Sequence, residues 1–346
     1  MISLSVTGVV FPTRKFQAML CLAALVIILA VGAQAQQPDD VITTDTSLVQ
    51  LNVGVVDRQG HAITTLARND FVVYEDGVQR PIFSFVPTEA PFSLVMLLDM
   101  SGSTINFRQQ IQGAALRFLD ALAPEDRVAV VEFNGKGVKS LLGFSTDRGR
   151  IAYAITLATG AGQTPLYDAL KFSLRELAKE GKRRKAIVAL TDGLDTEVRN
   201  KDRDVLAKAG ADSNPGTAIK PESNPQLTSV LTGADRQGVT IFPLALPSGD
   251  PKNLPLPDPL ITAMYTAART RLELLANRTG GQLHEVRRLD ELAKIYPIIA
   301  AEMRSLYTIA YQPPNPGAHD GKWRAIRIEV ARADLVARTK PGYYAR

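Results

Sequence analysis

The run Phe92-Ser-Leu-Val-Met-Leu-Leu98 is almost unbroken in its apolarity and stops abruptly at Asp99. A strand with one solvated face alternates in character, whereas a strand covered by helices on both faces reads as a continuous apolar block. Comparable blocks recur at Arg127-Val-Ala-Val-Val-Glu-Phe133, Lys185-Ala-Ile-Val-Ala-Leu190 and Val239-Thr-Ile-Phe-Pro-Leu-Ala-Leu246, and a weaker one at Gln282-Leu-His-Glu-Val286. Helical periodicity lies between them, at about 104–122, 148–157, 166–179 and 261–277. Asp147 is placed to cap the second of these helices. A further helix, 290–306, contains Pro297, which should kink it or mark a break. An edge strand is expected near Val138 to Leu142. Strands alternating with helices specify an α/β fold, a doubly wound and mostly parallel sheet of Rossmann-like type with helices on both faces. Asn200 to Pro225 and Pro247 to Pro259 interrupt this order and read as surface insertions.

The flanks follow a different rule. Leu48-Val-Gln-Leu-Asn-Val-Gly-Val-Val-Asp57 and Phe71-Val-Val-Tyr-Glu75 alternate and are bounded by turn residues, predicting short antiparallel strands. So few residues make a poor independent core. Near the other end, Tyr307-Thr-Ile-Ala-Tyr311, Trp323-Arg-Ala-Ile-Arg-Ile-Glu-Val330 and Leu335-Val-Ala-Arg338 alternate as well. We therefore expect one small β domain built from an N-terminal segment, 36–88, and a C-terminal segment, 313–346, that packs with 46–88. The α/β domain lies between, at 90–312.

Residues 1–35 have the anatomy of a secretory signal peptide: Arg14 and Lys15, an apolar stretch from Ala18, and the small-x-small ending Ala33-Gln34-Ala35. The stretch is short for a membrane span, which needs roughly 20 residues. Cleavage after Ala35 is expected in preference to an uncleaved N-terminal anchor, leaving a periplasmic or secreted chain with no membrane span. The sole cysteine, Cys21, leaves with the signal, so packing without disulfides must stabilise the rest. Loss of Arg14 and Lys15 lowers the formal net charge from +5 to +3, too mild to imply nucleic acid. The basic excess from Lys322 to Arg346 reads as a solvated strand face.

Asp99-Met-Ser-Gly-Ser103 stands where the first buried strand ends and its helix begins, the edge at which open α/β sheets bind ligands. Asp99, Ser101 and Ser103 can face inward together there, and their hard oxygens suit magnesium, manganese or calcium. Taken alone, the same residues equally suit helix capping. Asp192 follows another buried strand, and Thr164 stands in the glycine loop Gly160-Ala-Gly-Gln-Thr-Pro-Leu-Tyr-Asp168, so both belong to the same edge. Asp168, Asp195 and Glu197 lie near these loops, where outer-shell contacts compete with the plainer roles of cap and solvated charge.

With these pieces in place, the chain resembles a von Willebrand factor type A domain, from roughly Pro91 to Tyr311, with a complete metal-ion-dependent adhesion site. The family's Asp-x-Ser-x-Ser corresponds to Asp99, Ser101 and Ser103, its loop threonine to Thr164 and its second aspartate to Asp192. Asn69-Asp-Phe-Val-Val-Tyr-Glu-Asp-Gly77 and Pro341-Gly-Tyr-Tyr344 are similar to the flanks of a bacterial subgroup of exported proteins related to that family. The long polar insert after Asp192 departs from its compact members. The resemblance implies a divalent cation, foremost Mg2+, with Mn2+ or Ca2+ as alternatives. It also implies a protein partner that offers an Asp or Glu to an open coordination position.

Two other classes compete with this binding module: a metal-dependent hydrolase, and a structural envelope component whose metal only stabilises the loops. Asp99-Met-Ser lacks the second carboxylate of an aspartate-nucleophile phosphatase, and no lysine-ended phosphate loop is present. Neither serine lies in Gly-x-Ser-x-Gly, and His61, His284 and His319 show no pairing suited to serine hydrolysis. The expectation is an interaction protein rather than an enzyme.

Overall fold

The computed structural model describes residues 48–345 apart from 60, 89, 182, 210–213, 249, 252–255, 257, 287, 289–291 and 316–319. The expected signal segment, Cys21 and His319 lie outside the described residues. In chain order the strands are β1 (Val49–Val56), β2 (Phe71–Glu75), β3 (Val78–Arg80), β4 (Ile82–Val86), β5 (Phe92–Asp99), β6 (Arg127–Asn134), β7 (Gly137–Ser145), β8 (Arg184–Thr191), β9 (Val239–Ala245), β10 (His284–Glu285), β11 (Leu306–Tyr311), β12 (Trp323–Val330), β13 (Val336–Arg338) and β14 (Gly342–Tyr344). The principal helices are α1 (Arg108–Asp120), α2 (Arg148–Leu157), α3 (Leu166–Ala178), α4 (Thr196–Lys208), α5 (Pro225–Gln237), α6 (Pro259–Thr279) and α7 (Leu292–Ser305).

The central sheet has the order β10-β9-β8-β5-β6-β7, all parallel except β7, which runs antiparallel to β6 at the edge. All eight residues of β5 are buried, as an apolar block covered on both faces requires. Helices α1, α2 and α7 cover one face through Ile111, Phe118, Ile155, Tyr296 and Met303. Helices α3, α5 and α6 cover the other through Leu170, Leu177, Val230, Leu231 and Leu275. Successive strands run outward from β5 in one direction to β6 and in the other to β8. The carboxyl ends of β5 and β8 therefore flank the switch point where open sheets form a crevice.

Two elements depart from the sequence reading. The stretch from Asn200 is not simply an insertion, because its first part completes α4. Only Val198, Asp202 and Leu206 of that helix are buried, and the Asp in the middle breaks the apolar stripe that would have revealed it. Helix α5 was not anticipated, although Asn224 caps it through Leu227 N–H, Pro225 opens it and Gly238 ends it at φ +62°. Pro297 sits inside α7 without ending it. Asp147 caps α2 by accepting from Arg150 N–H, as expected.

Strands from both ends of the chain form two further sheets, β13-β1-β11-β4 and β14-β12-β2-β3. Leu51, Val53, Phe71, Val73, Tyr307 and Ile309 fill the space between them. β11, which follows α7 directly, pairs with β1 and not with the central sheet. The join is made by Arg184 at the start of β8. Its guanidinium donates to the carbonyls of Thr88 (2.6 Å), Met303 (2.8 Å) and Leu306, and lies 4.0 Å above the Phe92 ring. Residues 46–346 form one unit.

Candidate metal centre

Asp99 is the last residue of β5 and is fully buried. Its Oδ1 accepts from Ser101 N–H (3.0 Å) and its Oδ2 from the Thr191 hydroxyl (2.6 Å), so the carboxylate spans the ends of two neighbouring strands. Thr104 turns its hydroxyl back to donate to the Asp99 and Ser101 carbonyls at 2.8 and 3.1 Å, which winds the 99–104 loop onto itself. The hydroxyls of buried Ser101 and exposed Ser103 stand 3.2 Å apart. One donor is thus enclosed while the other meets solvent.

Asp192, also fully buried, follows β8. Its Oδ1 accepts from Leu194 N–H and its Oδ2 from the Ser248 hydroxyl, both at 3.0 Å. Thr191 links the two aspartates' loops, since its hydroxyl donates to Asp99 and accepts from Gly193 N–H (3.0 Å).

The third loop is pressed onto the first by glycines. Gly102 N–H donates to the Gly162 carbonyl at 2.9 Å, and Gly135 N–H to the Ala161 carbonyl at 2.8 Å. A Cβ on Gly135 would stand 2.8 Å from the Ala161 oxygen and 2.9 Å from Gln163 N, closer than packed atoms approach. Thr164 is buried at the end of this loop, donating its N–H to the Thr196 hydroxyl (2.9 Å) and accepting from Thr196 N–H (3.0 Å). The structure therefore brings the loops bearing all five expected donors to one sheet edge.

The neighbouring acids are otherwise occupied. Asp195 caps α4 through Val198 N–H at 3.0 Å and accepts from Tyr167 N–H at 3.3 Å, so both oxygens serve backbone donors; burial raises its pKa. Asp168 is exposed on the first turn of α3 and pairs with Lys171 at 3.3 Å, while Glu197 pairs with Lys201. His61 pairs with Asp57 and His284 with Glu302, each at 3.1 Å. Thr191, Thr104 and Ser248 were missed in the sequence. Ser248 lies in a proline-rich stretch that carries no motif, and nothing local ties it to Asp192.

Two buried carboxylates at one edge are costly without a counter-charge. Among the described residues no ion pair reaches either Asp99 or Asp192. Burial, and then the charge of Asp192, push the Asp99 carboxyl up to about 7, against the opposing hydrogen bonds from Ser101 and Thr191. A divalent cation would supply the missing charge, and carboxylate and hydroxyl oxygens suit a hard ion. These residues fit such an ion. Among the described residues no group of three or more His, Cys, Asp or Glu assembles, so the set depends on hydroxyl oxygens.

Part of the chain is similar to known proteins. Residues 94–194 match the profile of the von Willebrand factor type A domain. Among solved structures, the von Willebrand domain of the type V pili tip protein Mfa5 from Porphyromonas gingivalis is 17% identical over 61% of this chain and 94% of its own, with a TM-score of 0.44. BatB from Bacteroides thetaiotaomicron is 15% identical over 61% and 98%, with a TM-score of 0.41. A von Willebrand factor type A protein from Catenulispora acidiphila is 13% identical over 87% and 74%, with a TM-score of 0.44. No curated protein matches the chain. Through residues 94–194, a segment that contains all five expected donors, the chain matches the von Willebrand factor type A domain.

Proposed function

We propose that this chain is an exported interaction protein whose type A domain binds a partner protein through a divalent cation, foremost Mg2+. The observation that carries the reading is the pair of fully buried carboxylates, Asp99 and Asp192, with no ion-pair partner among the described residues. When bound, the cation supplies the positive charge these groups lack and a coordination position that an Asp or Glu of a partner completes. Asp99 and Asp192 are oriented by hydrogen bonds from Ser101, Thr191, Leu194 and Ser248, so their oxygens are set before any ion arrives. Ser103 is the solvent-facing donor and marks where a partner would approach. Export rests on the signal-like segment 1–35. No helix among the described residues is long and apolar enough to cross a membrane.

The test is a calorimetric titration of MgCl2 into chelator-treated protein. Saturable binding is expected for the unaltered chain and its loss for Asp99→Asn and Asp192→Asn. Equal binding by all three proteins overturns the assignment of the centre. Partner capture that persists in EDTA overturns the bridging role.

A further inference from the structure

We infer that the partner segment whose carboxylate meets the cation also seats a large apolar side chain in the cleft beside Leu194, with acidic neighbours facing Arg199 and Arg203. This rests on the metal-bridged binding proposed above and extends it to the chemistry of the partner.

Two clefts lie beside the loops that carry Thr164 and Asp192, and their walls differ. One, of about 360 Å³, begins at Thr164 and is lined by Asp168, Asp195 and Glu197 together with Asn200 and Gln226; no Lys or Arg lines it. Asp168 and Glu197 on its wall are already paired with Lys171 and Lys201, so it offers an incoming carboxylate no free cation. The other, of about 310 Å³, is walled by the apolar surfaces of Leu194, Ile261, Met264 and Tyr265. Arg199 and Arg203 of α4 stand on its rim, and Asn200 borders both clefts, so α4 is the ridge between them.

Leu194 ties the apolar cleft to the centre, because its N–H holds Asp192 Oδ1 at 3.0 Å while its side chain forms part of the wall. Ile261, in the exposed first turn of α6, is 41% exposed, leaving apolar surface open at the mouth. Neither arginine enters an ion pair among the described residues; Arg203 reaches the Asn200 side-chain oxygen at 3.4 Å. Two rim guanidiniums favour a carboxylate-bearing segment, which is the chemistry the cation also selects. The occupant is therefore an extended acidic stretch of a partner protein. A Leu, Ile, Met or Phe is expected close in sequence to its coordinating Asp or Glu, since Leu194 of the cleft is bonded to Asp192 itself.

A phage-displayed random dodecapeptide library, panned on immobilised protein in Mg2+ and eluted with EDTA, tests this. Eluted clones should share an Asp or Glu with an apolar companion and further acids. Synthetic peptides of that consensus should bind Ile261→Ser about tenfold more weakly, while its calorimetric Mg2+ affinity is unchanged. Panning on Arg199→Glu/Arg203→Glu should return clones without the flanking acids. Acidic clones with no apolar companion, or with a consensus and affinity unaltered in the variants, overturn this inference alone. Failure to elute any acidic clone with EDTA overturns the metal-bridge reading, and this one with it.

Discussion

Asp99 uses one oxygen on Ser101 N–H and the other on the Thr191 hydroxyl, so its charge is hydrogen-bonded yet uncompensated. Its folded-state value of about 7 lies above the ordinary 3.8, so the folded state keeps a proton that the unfolded chain has released. In metal-free protein this contribution to stability is complete below the ordinary value and is lost as pH rises through about 7. The melting temperature in EDTA should therefore fall between about pH 4 and about pH 7. Asp99→Asn or saturating Mg2+ should flatten that slope, and equal slopes in wild type and variant would count against it. Gly135 makes a second expectation at this scale. The Cβ of Gly135→Ala would press on the Ala161 oxygen and Gln163 N, moving the loop that carries Thr164. Mg2+ affinity should drop about tenfold or more by calorimetry, a loss of order 1.4 kcal/mol, with the far-ultraviolet circular dichroism unchanged.

Helix α4 is held by a side-chain pair that its sequence disguises. Asp202 and Arg271, both buried, meet through two bonds of 2.7 and 2.6 Å and tie α4 to α6. Asp202→Ala leaves a buried guanidinium alone and should cost about 3–5 kcal/mol in urea unfolding. Replacing both partners, Asp202→Leu with Arg271→Met, should recover most of that loss. For α5, Asn224→Ala removes the cap on Leu227 N–H and should cost about 1 kcal/mol in the same measurement. The two helices show why some elements escape a reading of the sequence. β5 was legible because burial on both faces leaves no polar position except at its end, where Asp99 stands. α4 was not, because its inward stripe contains an aspartate whose partner is 69 residues away. The ends of β5 and β8 likewise pointed to Asp99 and Asp192, whereas Ser248 depends on a contact 56 residues distant that no local pattern encodes.

At the scale of the whole molecule, the apolar blocks specified the doubly wound sheet, and the alternation in both flanks marked strands that pair with each other. Arg184 then binds the two regions by touching Thr88, Met303 and Leu306 at once. Deleting the residues after 312 removes β12, β13 and β14 and opens the core around Val73, Tyr307 and Leu51. The shortened chain should lose a single cooperative melt in circular dichroism, and retention of the full-length midpoint would show that the sheets are dispensable. The ladder between β1 and β11 has a mechanical consequence. Its pairs run antiparallel from Val49 with Tyr311 to Gly54 with Leu306, and their hydrogen bonds lie across the strand axis. Tension drawn along β1 from its N-terminal end loads all of these bonds in shear, together rather than one after another. A protein held by that end while gripping its partner at the far sheet edge would thus resist tearing as a clamp does, and not as a zipper.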